Sequence, residues 1–385
     1  MKMMQGVPGE RRTPEPAALG APPPIVSAPP DTGFCGEGER QEFKAASHRL
    51  RLEPLPAAEI ARWDAILASF PQRQVFHSQA WLDCLAETHE AEWRYWALTS
   101  GGSVVGYFCA GIVEKGPFRI LGSPLRSWHT NYLGPLLREG VDNSGFVAAI
   151  DELAREERLS VVELEYPAMP HAAYEAAGFN YHQTWTHQLT LLPDQRKMML
   201  RMSNGRKHGI RKALRYGLEV TDVEDAGDRL YDQLSRALLR HCATCPFPRE
   251  FPRAIVKHLR PKGLVYTLGV RNADGEVVAT GLFPFDNGTV YLWDTASEVE
   301  GRDLHPNDLL HWGLMCRAAD QGLTLYDMSG YGRFNNAFGP QLAPTFRWYK
   351  SYSTAARWAR ELYEQYLRLA RRPSLASYLL GKFGH

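Results

Sequence analysis

The sequence predicts an α/β (α+β) protein of two fused lobes, each a mixed, largely antiparallel sheet flanked by helices. Three observations carry that expectation. Hydrophobic residues fill 44% of the 385 positions and charged residues 23%, which lets most of the chain bury a core. Apolar stretches bounded by Gly- and Asn-containing turns alternate with stretches at helical spacing. The order of these elements also recurs. "ALTSGGSVVGYF" (97–108) matches "GVRNADGEVVATGLF" (269–283) in role, and "AAIDELAREERLSVVELEYP" (148–167) matches "LLHWGLMCRAADQGLTLYDM" (309–328). An offset of about 160–170 residues is too long for a solenoid and suggests duplication of a whole α/β unit.

The elements follow in chain order. Residues 1–46 read as a disordered, Pro-rich tail. Eight prolines lie between Pro8 and Pro30, and there is little aliphatic or aromatic surface to offset the entropy of ordering. The first lobe is expected over 47–192. Trp93–Thr99 reads as a strand, Gly101-Gly102 turns it, Val104–Val113 returns, and Phe118–Leu121 continues the sheet. Phe146–Glu156 carries helical spacing, and Val161–Tyr166 is a strand beyond it. The second lobe is expected over 193–355. It starts with a basic helix over 196–217, for which Gly217 is a plausible C-cap. Val265–Val270 and Val277–Phe285 read as strands, and Asn287-Gly288 turns into a strand over Thr289–Asp294. Leu309–Ala319 is helical and Leu323–Met328 a strand. Residues 356–385 form a C-terminal helix and tail.

Charge excludes several function classes. Forty-four Lys and Arg oppose 43 Asp and Glu, so the chain is neither a basic nucleic-acid coat nor an acidic solvating protein. No run of ~18 apolar residues suggests a membrane span, and the N-terminus lacks the ~7–15-residue apolar core of a secretion signal. Six scattered Cys fit a reducing compartment, so a cytoplasmic location is expected. The phosphate loop GxxxxGK[ST], HExxH, GxSxG and a strand-following GxGxxG are absent. His241-Cys242-Ala243-Thr244-Cys245 holds one CxxC without further ligands, and reads as a loop after a helix. No metal is expected.

One local charge imbalance stands out. Between Arg196 and Gly217 lie eight cations and no acid: Arg196, Lys197, Arg201, Arg206, Lys207, Arg211, Lys212 and Arg215. Arg206, Lys207 and Arg211 are candidates to hold a nucleotide-linked acceptor or the acceptor stem of a charged tRNA. A solvated helix face balanced by Glu219, Asp222 and Glu224 is the alternative.

Four segments in order resemble FemAB-like and related GNAT-fold acyltransferases: "VFHSQAWLDCL" (75–85), "MSNGRKHGIRKALRYGLEV" (202–220), "HPNDLLHWGLMCRAADQGLTLYDMSG" (305–330) and "FNNAFGPQLAPTFRWYKS" (334–351). The resemblance covers most of 70–352. Its nearest flavour is the acetyltransferase-domain branch linked to cellulose and cell-envelope operons. It implies two GNAT-like lobes and transfer of an acyl group, acetyl or another CoA-linked group, to an amine of a small-molecule, envelope- or polysaccharide-related acceptor. Aminoacyl transfer from tRNA and a non-catalytic accessory or RNA-binding role are the alternatives.

Such a reaction needs a proton acceptor for the amine and dipoles facing the developing oxyanion. Asp327, on the family's "fDfg" Asp, is placed to act as base or to orient the amine; an Asx cap on the following turn is the alternative. Tyr331, in the turn Gly330-Tyr331-Gly332, is a candidate acid for the leaving group. Asp294 lies late in a hairpin strand, near the point where such sheets splay. Trp128, His129 and Asn131 match a first-lobe loop that lines the family's cleft, with anchoring of that loop to the core as the alternative. Two departures bear on the donor. The stretch expected to bind coenzyme A pyrophosphate, "SEVEGRDLHPND" (297–308), has one Gly and the acids Glu298, Glu300, Asp303 and Asp308, offset in part by Arg302 and the helix start at Pro306-Asn307. The family's "FK" Lys falls on Asn335, so its role is lost or passes to Arg333, Arg347 or Lys350.

Overall fold

Strands that read as near-continuous apolar runs are buried on both faces here. In the strand Glu92–Ser100, Tyr95 and Ala97 enter one core while Trp96 and Leu98 enter another, as the period-two alternation of a strand demands. The structure is a computed structural model that describes residues 49–166, 171–240 and 243–370. The expected tail over 1–46, His241-Cys242 and the end of the C-terminal segment lie outside the described residues.

The strands are β1 (Arg51–Pro54), β2 (Glu92–Ser100), β3 (Ser103–Lys115), β4 (Phe118–Ser123), β5 (Leu136–Leu137), β6 (Val161–Glu165) and β7 (Asn180–Thr190). They continue as β8 (Glu219–Asp222), β9 (Val265–Arg271), β10 (Val277–Asp286), β11 (Thr289–Tyr291), β12 (Asp294–Ser297), β13 (Leu325–Asp327) and β14 (Gln341–Ser351). One 14-stranded sheet runs in the order β1-β2-β3-β4-β6-β14-β7-β13-β11-β10-β9-β8, with β5 beside β3 and β12 beside β10. Most pairings are antiparallel; β4–β6 and β11–β13 are parallel.

Three cores flank the sheet. The helix Asn143–Glu156 turns Phe146, Ile150 and Leu153 onto the first half of the sheet, and Asp142 caps it by accepting from the Ser144 N–H at 3.1 Å. The helix Pro306–Asp320 does the same for the second half through Leu310, Leu314 and Ala318. A third core lies between the halves. There Gln79–Thr88 packs on Glu250–Leu259, with the Cys84 thiol donating to the Ala254 carbonyl at 3.2 Å.

Three local expectations change. The basic segment forms two helices, Gln195–Arg201 and Asn204–Arg215, not one. Ser203 breaks them because its hydroxyl accepts from the Arg206 N–H at 3.2 Å, an N-cap, while Met202 is buried. The strand expected over Thr289–Asp294 is split into β11 and β12. The last core strand is shorter than its apolar run, Leu325–Asp327 against Leu323–Met328.

β14, late in the chain, does not extend the second half of the sheet. It threads between β6 and β7, antiparallel to both, with Trp348 opposite Leu164 on one side and Tyr181 on the other. Trp348 is fully buried and stacks on Tyr174, their centroids 4.7 Å apart. This insertion makes one sheet of two halves. Trp348→Ala should therefore lower unfolding free energy by about 3–5 kcal/mol, the cost of emptying a large aromatic site, read as a shifted midpoint in urea.

Candidate functional site

The sheet opens in the middle. Gln188 of β7 faces Asp327 of β13 on one side and Gln341 of β14 on the other. β13 stops there, so from Thr186 towards Thr184 β7 keeps only its β14 neighbour. Across the opening, β10 holds Val290 opposite Phe285 and Asp294 opposite Leu282. Four residue steps on one strand thus oppose three on the other, a bulge at Leu292-Trp293. The Trp293 indole N–H donates to the His129 carbonyl at 3.0 Å, tying the bulge to the first-half loop.

Two cavities lie at this opening and share Trp293, Ser329 and Gly330. One, of about 240 Å³, is polar and includes Arg126, Asn131, Glu165, Thr186, Thr345 and Arg347 in its wall. The other, of about 310 Å³, includes Asp294, Thr295, Tyr331 and Asn335.

Asp327 sits under the turn between them and is 1% exposed. One carboxylate oxygen accepts from the Thr186 hydroxyl at 2.6 Å and the Ser329 N–H at 2.8 Å. The other accepts from Tyr132 and the Gln188 amide, each at 3.1 Å. The Ser329 bond is the Asx cap, and these donors engage both oxygens, leaving little room for the amine of a substrate. Thr186 relays the hold, since its hydroxyl accepts from the Gly330 N–H at 3.1 Å. The structure therefore assigns Asp327 to holding the turn, and its geometry does not suit a base.

Asp294 is placed differently. Asp294 lines the second cavity, and its carboxyl accepts only from the Thr295 N–H, at 2.7 Å, among the hydrogen bonds of the described residues. Burial pushes its pKa up to about 6, against the lowering by that N–H. Tyr331 is 64% exposed and lines the same cavity, as does Asn335, whose amide donates to the Met328 carbonyl at 3.4 Å.

Glu165 was not anticipated from the sequence. Its carboxyl lines the polar cavity, ion-paired with Arg347, and burial pushes it up to about 7 while Arg347 opposes the shift. Arg347 also pairs with Glu163 at 2.8 Å. The signal was present in "VVELE": two acids two residues apart share one face of a fully buried strand.

The expected loop divides. Trp128 is 2% exposed and packs on Trp93, centroids 5.2 Å apart, so it anchors the loop to the core. His129 and Asn131 do reach the cavity. The His129 ring bonds the Pro246 carbonyl at 3.1 Å and faces Phe247, and the Asn131 amide donates to the Ser329 hydroxyl.

The basic residues do not gather there. Arg206 is buried, ion-paired with Asp308, bonded to the Phe334 carbonyl at 2.7 Å and stacked 4.0 Å from the Phe334 ring, which corrects its expected role in anion binding. Lys212 bonds the Asp303 carbonyl at 2.7 Å, and Lys197 pairs with Asp194 at 3.8 Å. Lys207 is half-buried and Arg211 exposed on the same helix. Lys350 is also spoken for, donating to Asp151 and, at 2.9 Å, to the Ala177 carbonyl. Arg302 and Arg333 are exposed. Asn307, the second residue of the helix that would cradle a pyrophosphate, donates to Ser297 at 3.2 Å. That helix start does not fit the group. Pro306 lacks an N–H, Asp308 puts a carboxylate in the first turn, and a Cβ on Gly209 would collide with that carboxylate, so the helix Asn204–Arg215 already lies against it.

Residues 201–338 match the model of the acetyltransferase (GNAT) domain family. Among solved structures, FemX is 14% identical, covers 74% of this chain and 95% of its own, and gives a TM-score of 0.60. A tandem GNAT protein from the clavulanic acid biosynthesis pathway is 15% identical, covering 78% of this chain and 98% of its own, with a TM-score of 0.50. The C-terminal domain of a putative lysylphosphatidylglycerol synthetase from Agrobacterium fabrum is 12% identical, covering 78% and 94%, also at 0.50. No curated protein matches the sequence. The fold is of the GNAT type, with two GNAT-like units fused. No helix of the described residues is long and apolar enough to cross a membrane.

Asp327→Asn tests the turn. Three of its four donors can reorient to meet an amide, but the charge-assisted bonds weaken. The variant should fold and lose about 1–2 kcal/mol in urea unfolding.

Proposed function

We propose that the chain is an N-acyltransferase whose two adjoining cavities hold the acyl carbon and the acceptor amine. One observation carries the reading: at the open seam of a GNAT-type sheet, Asp294 presents a carboxyl of pKa about 6 to a cavity that shares a wall with a second, polar one. A base works best with a pKa near the working pH, and burial supplies that shift. In the proposed step the acceptor nitrogen bonds to the acyl carbon and Asp294 takes its proton. The bond from that carbon to the leaving sulfur or oxygen breaks, and the leaving group takes a proton from the Tyr331 phenol. The polar cavity, with Glu165, Arg347, Asn131 and the threonines, suits a small polar acceptor.

The acyl carrier is a separate question, because the stretch 297–308 lacks the ordinary pyrophosphate cradle. Acetyl-CoA and charged tRNA, each offered with a panel of small amines, separate the two donor classes by which is consumed.

With the active pair in hand, Asp294→Asn should lower kcat by roughly 10²–10⁴-fold, the usual worth of a general base. Wild-type kcat/KM should climb as pH rises through about 6, since only the ionised carboxylate accepts a proton. Stability should move the other way. A carboxyl whose folded pKa is raised favours the folded state below its unfolded value, and that gain is lost as pH rises through about 6. The Asn variant should lose this pH dependence of Tm between about 4 and 6. Undiminished turnover in the Asn variant would sink the assignment.

A further inference from the structure

β7 carries an inner edge that no strand of the described residues covers. Along β7 the backbone groups alternate in direction. Leu191 and His187 donate their N–H groups away from β14, to the Thr324 and Gly330 carbonyls at 2.8 and 2.9 Å, and the Met328 N–H returns to the His187 carbonyl at 2.8 Å. Odd-numbered residues of β7 therefore face the β13 side, and even-numbered ones bond β14. Beyond His187 no strand continues the β13 side. The N–H and C=O groups of Gln183 and Trp185 point that way and take part in none of the hydrogen bonds of the described residues.

This edge is undefended. Exposed sheet edges are ordinarily blunted by Lys, Pro or a bulge. Asn180–Thr186 has neither residue type, and its pairing with β14 runs without a bulge. Gln183 and Thr184 are exposed. The two faces beside the edge differ in chemistry. On one, the Thr184 and Thr345 hydroxyls meet at 2.6 Å, and both residues line the polar cavity of the seam with Thr186 and Glu165. On the other, Trp185 lies opposite Pro344, and His187 lies opposite Leu342, which is 52% exposed.

We propose that this edge binds an extended polypeptide segment as an added antiparallel strand, with polar side chains toward the threonines and apolar ones beside Trp185 and Leu342. Gln183 and Trp185 each offer one donor and one acceptor, roughly 7 Å apart by strand geometry. A second extended chain matches that repeat. Backbone pairing supplies affinity, and alternate side chains supply selectivity. The inference does not use Asp294, and its test reads binding, so it can fail while acyl transfer stands.

The probe is acetyl-Ser-Val-Ser-Val-Ser-amide, titrated by calorimetry against the full chain, with hydrogen exchange read residue by residue. It should bind one-to-one, and the Gln183 and Trp185 amides, fast in the free chain, should slow at least ~10-fold in the complex. The two valines sit opposite these residues and aim their N–H groups at β7. N-methylation of both valines should weaken binding at least ~10-fold, and N-methylation of the central serine, whose N–H points away, less than ~3-fold. Gln183→Pro removes the outward N–H and no bond to β14, a change that an edge position tolerates. It should weaken the peptide several-fold with Tm kept. Where that variant does not fold, the methylated peptides decide alone. Unsaturable binding, equal losses from methylating the valines and the serine, unslowed Gln183 and Trp185 amides in the complex, or undiminished binding to folded Gln183→Pro would each overturn the proposal. Slow exchange of these two amides in the free chain would overturn it too, in favour of a second copy where the chain sediments as a dimer and of another segment of this chain where it does not.

Discussion

The Asp327 carboxylate is the contact on which the seam depends. Tyr132 reaches it from the first-half loop, Thr186 and Gln188 from β7, and the Ser329 N–H from the turn that follows β13. Three segments distant in sequence meet on one buried charge. A charge at 1% exposure is costly unless donors replace its water, and here they do. The consequence is local. β13 ends at Asp327, the turn projects Ser329 and Gly330 into the opening, and both cavities take these two residues as a shared wall.

The split of roles between the two aspartates follows from the same rule. Asp327 is surrounded by four donors that occupy both of its oxygens. Asp294 is half-buried with one backbone donor, and desolvation outweighs that donor, so its pKa rises. A carboxyl held fully by protein donors fixes geometry. One left short of donors keeps affinity for a proton. Glu165 lies between these cases, raised by burial and restrained by Arg347.

Much of the fold was legible in the sequence because most elements announce themselves locally. β2, β3, β9 and β10 lie where the apolar runs and the Gly turns put them, and Asn143–Glu156 follows its helical spacing. The position of β14 was not legible. Its neighbours, β6 and β7, are set by a long-range pairing that leaves no local mark, so the segment reads as part of the half it follows. The break at Ser203 could have been read, since Ser-Asn-Gly before a helical run is an N-cap pattern. The bulge at Leu292-Trp293 could not, because "TVYLWD" has strand propensity throughout. Among site residues, Asp294, Tyr331, His129 and Asn131 line the cavities, whereas Arg206 of the charge run is held inside the protein by Asp308. A count of cations in sequence does not show that the acids Asp194, Asp303 and Asp308 meet Lys197, Lys212 and Arg206 from outside the run.

The Arg206–Asp308 pair also explains why the helix start at Pro306 is poorly suited to a phosphate group. A helix N-terminus attracts anions because its first N–H groups are unpaired and its dipole points positive. Here Pro306 removes one such N–H, and the Asp308 carboxylate is already in the first turn, within 3.3 Å of His305 and paired with Arg206. Gly209 lets the helix Asn204–Arg215 come close enough for that pairing, since any side chain there would collide with Asp308. An incoming phosphate would have to displace a protein carboxylate from a buried ion pair, and breaking such a pair by removing one partner typically costs about 3–5 kcal/mol. The positive end of this helix serves packing between two helices.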